Sequence, residues 1–322
     1  MSIKKTALIL TFLILCISPS LFGAKYAGEF LSLGVGAKAL GMGGAFSAVA
    51  DDASAGYWNP AGLFQLKTKQ LLLVHSEVFG SLLNHDFISY VIPRKKETST
   101  SAFGFNLMRL GGDGIKITQL SNPDLPPGES NKPYVVDEKS HSDYVFSFSY
   151  SRKIKPKLAL GGNAKLLYRD IAGEKAYGLG MDFGILAALY PGITLGANLM
   201  DATTTFLAYD NGTKESIYPT LKTGFRYSRN LKNSVFTFAF DSDFSFEGRD
   251  YAAQLNFEDF SADLHYGVEI SYLQKVALRL GSDQGNFTYG LGLNTEKLGA
   301  DIAFLNHDEL DKTYRISLKI KL

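Results

Sequence analysis

Ser261-Ala262-Asp263-Leu264-His265-Tyr266-Gly267-Val268-Glu269-Ile270-Ser271-Tyr272 decides the fold class. Ala262, Leu264, Tyr266, Val268, Ile270 and Tyr272 fall on one side of an extended chain. Ser261, Asp263, His265, Gly267, Glu269 and Ser271 fall on the other. A period of two with one apolar and one polar face is a half-buried β-strand. The same period runs through Tyr144, Phe146, Phe148 and Tyr150, with Ser147, Ser149 and Ser151 between or beside them. It closes the chain, where Tyr314, Ile316, Leu318, Ile320 and Leu322 oppose Arg315, Ser317, Lys319 and Lys321. Working outward, strands are expected near 68–79, 84–93, 100–110, 143–153, 157–168, 176–190, 192–200, 218–228, 233–243, 261–272, 275–282, 286–294, 298–306 and 313–322. Most approach the ~9–11 residues of a tilted membrane-crossing strand. Only the first is ambiguous, because Leu71-Leu72-Leu73 does not say which face is which.

Loop lengths provide an independent test. Connections from even to odd strands are short: Lys155-Pro156, Tyr190-Pro191-Gly192, Asn230-Leu231-Lys232 and Leu273-Gln274. The long connections, 111–142, 201–217 and 244–260, all run from odd to even strands. Sorting of short turns and long loops onto opposite ends is the pattern of an outer-membrane barrel, whose short turns are periplasmic. A soluble sandwich has no reason to sort loops by parity, and its second aromatic face would need a partner layer. The expected fold is therefore an all-β transmembrane antiparallel barrel of about fourteen strands, in the bacterial outer membrane, with both termini periplasmic.

The beginning of the chain reads as an address. Lys4 and Lys5 precede an apolar run from Ala7 to Ile17, and Pro19-Ser20-Leu21-Phe22-Gly23-Ala24 ends in small residues, which is the order of a secretory signal peptide cleaved after Ala24. Cys16 follows Leu15, which is too large for a lipoprotein site, so the processed chain has no cysteine. That removes disulfides, thiolate metal sites and cysteine nucleophiles. Basic and acidic residues balance at 33 to 32, which leaves no electrostatic footprint for nucleic acid. No later apolar stretch is long enough for a helical span. The 23 Phe, 17 Tyr and 32 Gly favour strands and turns. His75, His85, His141, His265 and His307 are scattered and join no Ser and acidic residues in a catalytic motif, so no enzyme, cofactor or metal is expected.

Alternation points Asn163, Lys165, Arg169, Asp182, Lys222, Arg226, Asp263, Glu269, Arg279 and Asp301 inward. They would either line a permeation path or fill space between the wall and a plug. Residues 28–66 do not alternate. Gly41, Gly43 and Gly44 stand in a run of small residues that permits close backbone packing. Asp51 and Asp52 are placed to cap a short helix. Asn59 precedes Pro60-Ala61 and is pushed out of helical geometry, so that helix should end there. Irregular backbone at membrane depth is tolerated only inside protein or beside water. The expected organisation is a signal peptide (1–24), an N-terminal lumenal hatch (25–66) and a transmembrane barrel (67–322). Gly34-x-Gly36-x-x-Ala39 matches a dinucleotide-binding pattern but lacks the βαβ setting that gives it meaning.

The stretch Gly34-Val-Gly-Ala-Lys-Ala-Leu-Gly-Met-Gly-Gly-Ala-Phe-Ser-Ala-Val-Ala-Asp-Asp-Ala-Ser-Ala-Gly-Tyr-Trp-Asn-Pro-Ala-Gly-Leu63 resembles the opening of the PorV/PorQ family, within the FadL-like outer-membrane superfamily. Its Asp-Asp-Ala-Ser and Asn-Pro-Ala elements look like those in the lumenal hatch of FadL-type fatty-acid channels. Tyr266-Gly-Val-Glu-Ile270, Ala277-Leu-Arg-Leu-Gly281, His307-Asp-Glu-Leu310 and Tyr314-Arg-Ile-Ser317 are similar to the PorV/PorQ ending. The resemblance implies a fourteen-strand barrel with an N-terminal hatch and two possible roles. One is passive uptake of hydrophobic small molecules such as long-chain fatty acids, with Ile115, Ile117, Leu120 and Leu125 of the 111–142 loop as an apolar landing surface. The other is a PorV-like component of a secretion system that binds secreted proteins. In both the chain is expected to be a monomer surrounded by outer-membrane lipid.

Overall fold

The computed structural model describes residues 28–96, 99–246, 249, 253–258, 260–307 and 311–322. The signal-peptide expectation lies outside the described residues. The strands are β1 (Gln70–Val78), β2 (Leu83–Lys96), β3 (Ser99–Leu120), β4 (Pro133–Lys155), β5 (Leu158–Ile171), β6 (Glu174–Tyr190), β7 (Ile193–Met200), β8 (Thr205–Tyr209), β9 (Lys214–Ile217), β10 (Thr220–Leu231), β11 (Ser234–Ser245), β12 (Leu255–Phe257), β13 (Phe260–Tyr272), β14 (Val276–Asp283), β15 (Asn286–Asn294), β16 (Leu298–His307) and β17 (Asp311–Lys321). Three of these, β8, β9 and β12, belong to the long-loop end. The other fourteen pair antiparallel with their sequence neighbours, and β1 closes the ring on β17 from Gln70↔Lys321 to Glu77↔Tyr314. Closure satisfies every edge, as a sheet in lipid requires.

The side-chain period carries through to burial. In β6, Tyr177, Leu179, Met181, Phe183 and Ile185 are exposed on the outside, while Ala176, Gly178, Gly180, Asp182 and Gly184 are buried within. The exterior is a continuous apolar surface of such residues, including Leu278, Leu280, Leu291, Leu293 and Ile316. Water would penalise it at ~25 cal/mol per Å², and acyl chains do not. Aromatic rings cluster on it near the long-loop end, where Tyr144, Tyr168 and Tyr177 adjoin one another, as do Tyr289, Phe304 and Tyr314. Tyr190 and Tyr272 end strands at the short-turn side. These are the places where amphipathic rings meet a membrane interface. No described helix is long and apolar enough to cross a membrane.

Two features differ from the sequence expectation. The 111–142 connection is not a loop for most of its length, because β3 and β4 continue as a paired hairpin as far as Leu120↔Pro133. Tyr134, Val135 and Val136 are all exposed there. Beyond the lipid both faces meet water, so alternation disappears although the strands continue. Likewise 201–217 holds the β8–β9 hairpin, with β8 paired to the upper part of β6. In β1, Leu72 faces inward between Leu71 and Leu73. The triple leucine arises because the inner wall is apolar here too: Leu72, Val74, Val78, Phe87, Val91 and Ala102 pack in one core with Val35, Phe46, Trp58 and Leu63.

Candidate functional site: the filled lumen

Residues 28–66 lie inside the ring of strands. Gly28 packs against Ile217 at the long-loop end, and Arg169, near the top of β5, sits over the Phe30 ring at 4.7 Å. The chain then descends through helix α1 (Ala37–Gly41) and helix α2 (Ala55–Trp58) and leaves at the short-turn end into β1. Leu322 is also at the short-turn end, where its N–H donates to the Lys69 carbonyl. Gly28–Leu31, the first described residues, lie at the opposite end.

The wall holds this segment from around the ring. Ser317 Oγ accepts from Ala37 N at 2.7 Å, and Asp241 accepts from Phe46 N and Ser47 N at 3.0 and 2.7 Å. Gln70 accepts from Ala53 N, and Ser89 donates to Ala53 O. Asn163 donates to Gly56 O at 2.7 Å, Asn198 to Trp58 O at 3.1 Å and Ser151 to Ala61 O at 3.0 Å. Wall glycines bring the backbones together. A β-carbon on Gly161 would lie 2.7 Å from Ala61 Cα, one on Gly196 2.6 Å from Ser47 C, and one on Gly281 2.5 Å from Met42 C. Each is closer than packed atoms approach, so these inward positions exclude a side chain. Within the segment, Gly43 and Gly44 have φ of +64° and +77°, and Gly41 meets Gly290.

Asp51 and Asp52 do not cap α2 as expected. The cap residue is Ser54, and it makes no side-chain bond to the helix. Asp52 accepts from Ser54 N at 2.9 Å and Ser54 Oγ at 2.5 Å, a local turn that precedes the helix. Asp51 turns away to Lys38, 2.8 Å distant, and Lys38 also approaches Glu269 at 3.8 Å. Burial opposes the Asp51 charge, but Lys38, with Lys319 and Arg226 behind it, outweighs burial and holds the carboxyl below its ordinary value. Lys38 is held above its own against the same penalty by Asp51 and Glu269. Asn59 is extended (φ −163°) before Pro60, ends α2, and caps the 3-10 helix Pro60–Gln65 by accepting from Ala61 N at 3.1 Å. Its amide donates to Ser47 O at 2.8 Å and Ile185 O at 3.0 Å.

The inward charges form ion pairs. Lys165 lies 2.7 Å from both Asp182 and Asp201, and Asn163 donates to Asp182. Arg279 joins Glu269 and Asp301 at 2.6 and 2.7 Å, Arg169 holds Asp143, and Asp263 meets Arg249. Lys222 is paired with Asp243, while Arg226 of β10 forms no ion pair among the described residues and adds only positive potential at the Asp51 carboxylate. Sequence reading missed the residues that seat the segment: Asn198, Asp241, Ser317 and the inward glycines. Their signal was polarity or absence of a side chain on the inner face of an alternating strand. No group of three or more His, Cys, Asp or Glu among the described residues is placed to hold a metal. Above the segment, at the long-loop end, lies a cavity of about 320 Å³. Leu31, Leu33, Val78, Phe79 and Ile217 line it together with Lys222, Asp243, Arg249 and Arg315.

A closed fourteen-strand antiparallel ring with an apolar exterior and a polar, filled interior is a bacterial outer-membrane β-barrel. Among solved structures the chain is similar to the P. putida toluene transporter TodX (13% identity, TM-score 0.63, covering 90% of this chain and 99% of that one). It is also similar to the CymD monoaromatic hydrocarbon channel (13%, TM-score 0.61, 90% and 98%) and to a Pseudomonas aeruginosa FadL homologue (11%, TM-score 0.54, 89% and 98%). At such identities the likeness is one of fold. No protein-family model matches the chain, and no curated protein matches it in sequence.

Proposed function

We infer that the chain is a passive outer-membrane channel for hydrophobic small molecules, with residues 28–66 as its hatch. The observation that carries this is the cavity at the long-loop end of the lumen, floored by Leu31 and Leu33 of the segment and walled by Val78, Phe79 and Ile217. At about 320 Å³ it is at the lower end of small-molecule sites. Support comes from the fold shared with structures described as a toluene transporter and a monoaromatic hydrocarbon channel. In this reading the ion-paired inner wall, Lys165 with Asp182 and Arg279 with Glu269, holds the hatch in place beneath the ligand. The channel acts as a monomer in lipid and catalyses no reaction. Expressed in a Gram-negative host without its own channel of this kind, it should accelerate uptake of radiolabelled toluene or decanoate several-fold. Uptake equal to that of cells carrying the empty vector would refute it.

One feature favours the second reading, a secretion component that docks exported protein. The β3–β4 hairpin projects past the lipid and exposes Tyr134, Val135 and Val136 on both its faces. Removing residues 113–139 should then abolish association with secreted protein and leave small-molecule uptake intact.

A further inference from the structure

The short-turn end of the barrel is basic. Arg94 and Lys95 lie at the end of β2, Arg152, Lys153 and Lys155 at the end of β4, and Lys157 follows in the turn, all exposed. Lys69, Arg229, Lys275 and Lys297 carry the charge around the rest of the rim. Among the described residues of the short turns, Glu296 has the one carboxylate side chain. The long-loop end is the reverse: in the β3–β4 hairpin Asp113, Asp124, Glu129, Asp137 and Glu138 outnumber Lys116, Lys132 and Lys139. Such a field attracts an anionic surface at one end of the molecule and repels it at the other. Two of the rim cations point outward to the lipid side. Arg94 extends the outer row Ile88, Tyr90 and Ile92 of β2, and Arg152 extends Phe146, Phe148 and Tyr150 of β4. Neither has a carboxylate at ion-pair distance among the described residues. Arg94 lies 5.8 Å from the Phe103 ring, and beyond it Lys157 lies 5.9 Å from the Tyr190 ring. Long cationic side chains resting on outward rings mark the level where the apolar belt ends and headgroups begin.

The strand register makes a seat of the two arginines. Arg94 stands opposite Ser101, and Ser101 opposite Arg152, all three on the outer face. Neighbouring strands are ~4.8 Å apart, so the two arginine Cα atoms stand about 10 Å apart with a hydroxyl between them. Both guanidinium forks can then reach one phosphate. Directly above, the Phe103 ring packs against Phe148 at 6.0 Å and Tyr150 at 5.1 Å, which gives acyl chains an aromatic shelf. We propose that the Arg94–Ser101–Arg152 row seats the phosphate of an anionic phospholipid in the periplasmic leaflet, and that the basic rim around it selects that lipid over a zwitterionic one. A lipid fits this seat better than an acidic protein does, because the row faces outward at the foot of the apolar belt, where acyl chains fill the space beside it. A periplasmic protein would meet the turn tips instead, such as Lys155 and Lys232. The seat requires only the barrel and is independent of what passes through the lumen.

The test is electron paramagnetic resonance of spin-labelled phosphatidylglycerol and spin-labelled phosphatidylcholine, each at trace level in phosphatidylcholine bilayers that hold the full chain. The immobilised fraction of each probe gives its relative association with the barrel surface. The unaltered protein should favour phosphatidylglycerol at least about threefold, as clustered cations at a headgroup surface do. That preference should fall towards parity in 1 M NaCl, where the Debye length is ~3 Å. Arg94→Gln combined with Arg152→Gln should remove most of it, while Lys116→Gln combined with Lys132→Gln at the opposite end should leave it unchanged. Equal immobilisation of the two probes by the unaltered protein, or an unaltered preference in the double arginine variant, overturns the proposal. If gel mobility shows that the arginine variant does not fold, the two probes on the unaltered protein, with and without salt, decide alone. Equal immobilisation together with salt-sensitive binding of polyglutamate would assign the rim to an acidic protein and refute the lipid seat.

Discussion

Alanine at Gly161 should unseat the N-terminal segment, while alanine at the adjacent Gly162 should not. The two glycines are consecutive in β5 and face opposite ways. At Gly161 the added methyl would lie 2.7 Å from Ala61 Cα and closer still to Ala61 N and Pro60 C, all backbone atoms that cannot rotate aside. At Gly162 it would lie 3.3 Å from Asp182 O and 3.7 Å from the Phe183 ring, on the lipid side. Both substitutions gain the same ~0.5–1 kcal/mol from a stiffer unfolded chain. Only Gly161→Ala adds overpacking against the segment, about 1–3 kcal/mol. A net cost near 2 kcal/mol changes the ratio of displaced to seated segment by roughly thirtyfold, since ~1.4 kcal/mol is a factor of ten. Single-channel recording in planar bilayers reads this directly, as open events that rise in frequency for Gly161→Ala and stay at the wild-type level for Gly162→Ala. Heat-modifiable mobility on gels should show both barrels folded. Equal conductance in the two variants would refute the claim that wall glycines exist to seat the segment.

Three further outcomes follow from the same geometry. Asn59→Ala removes a cap and leaves the Ser47 and Ile185 carbonyls without their donor, so the segment should lose about 2–4 kcal/mol; the urea midpoint of the Trp58 transition measures it, and an unchanged midpoint counts against the assignment. The Lys38–Asp51 pair should make seating acid-sensitive. Asp51 titrates below its ordinary 3.8 when folded, so its contribution is present above that value and lost as pH falls through the folded one. Lys38 titrates above 10.5, so its share is present below 10.5 and lost only in stronger base. Protease sensitivity of residues 28–66 should therefore rise below about pH 4 in wild type and be flatter in Asp51→Asn; identical profiles would dismiss the pair as a latch. On the exterior, Leu291→Arg in mid-strand should cost about 2–4 kcal/mol and Leu298→Arg at the short-turn rim about 0–1, measured by urea unfolding in lipid bilayers; equal costs would mean that β15 does not face acyl chains.

The inner wall explains why the residues of the 28–66 segment were visible before their contacts were. Small residues between 34 and 63 announce close packing, and Asn59 before Pro60 announces a break. Which donor meets which acceptor depends on strands more than a hundred residues away, such as Asn59 with Ile185 and Ala37 with Ser317. Asp51 and Asp52 show the limit well. Both carry the right chemistry for a helix cap, but Lys38 lies within reach of one and Ser54 bends back to the other.

The strand period is local, so the sequence alone determined that Tyr266 and Ile270 face lipid while Asp263 and Glu269 face inward. Lipid imposes that alternation on each strand separately. Loop parity likewise fixed which ends lie together, because an antiparallel ring has only two rims. Tertiary structure decided the rest. Lys165 meets Asp182 and Asp201, Arg279 meets Glu269 and Asp301, and Arg315 meets no carboxylate among the described residues, because partners across a barrel are set by inter-strand register and by what fills the lumen. The hairpin through 111–142 was hidden for the opposite reason: above the membrane no face is buried, so nothing in the residue pattern records which way each side chain points.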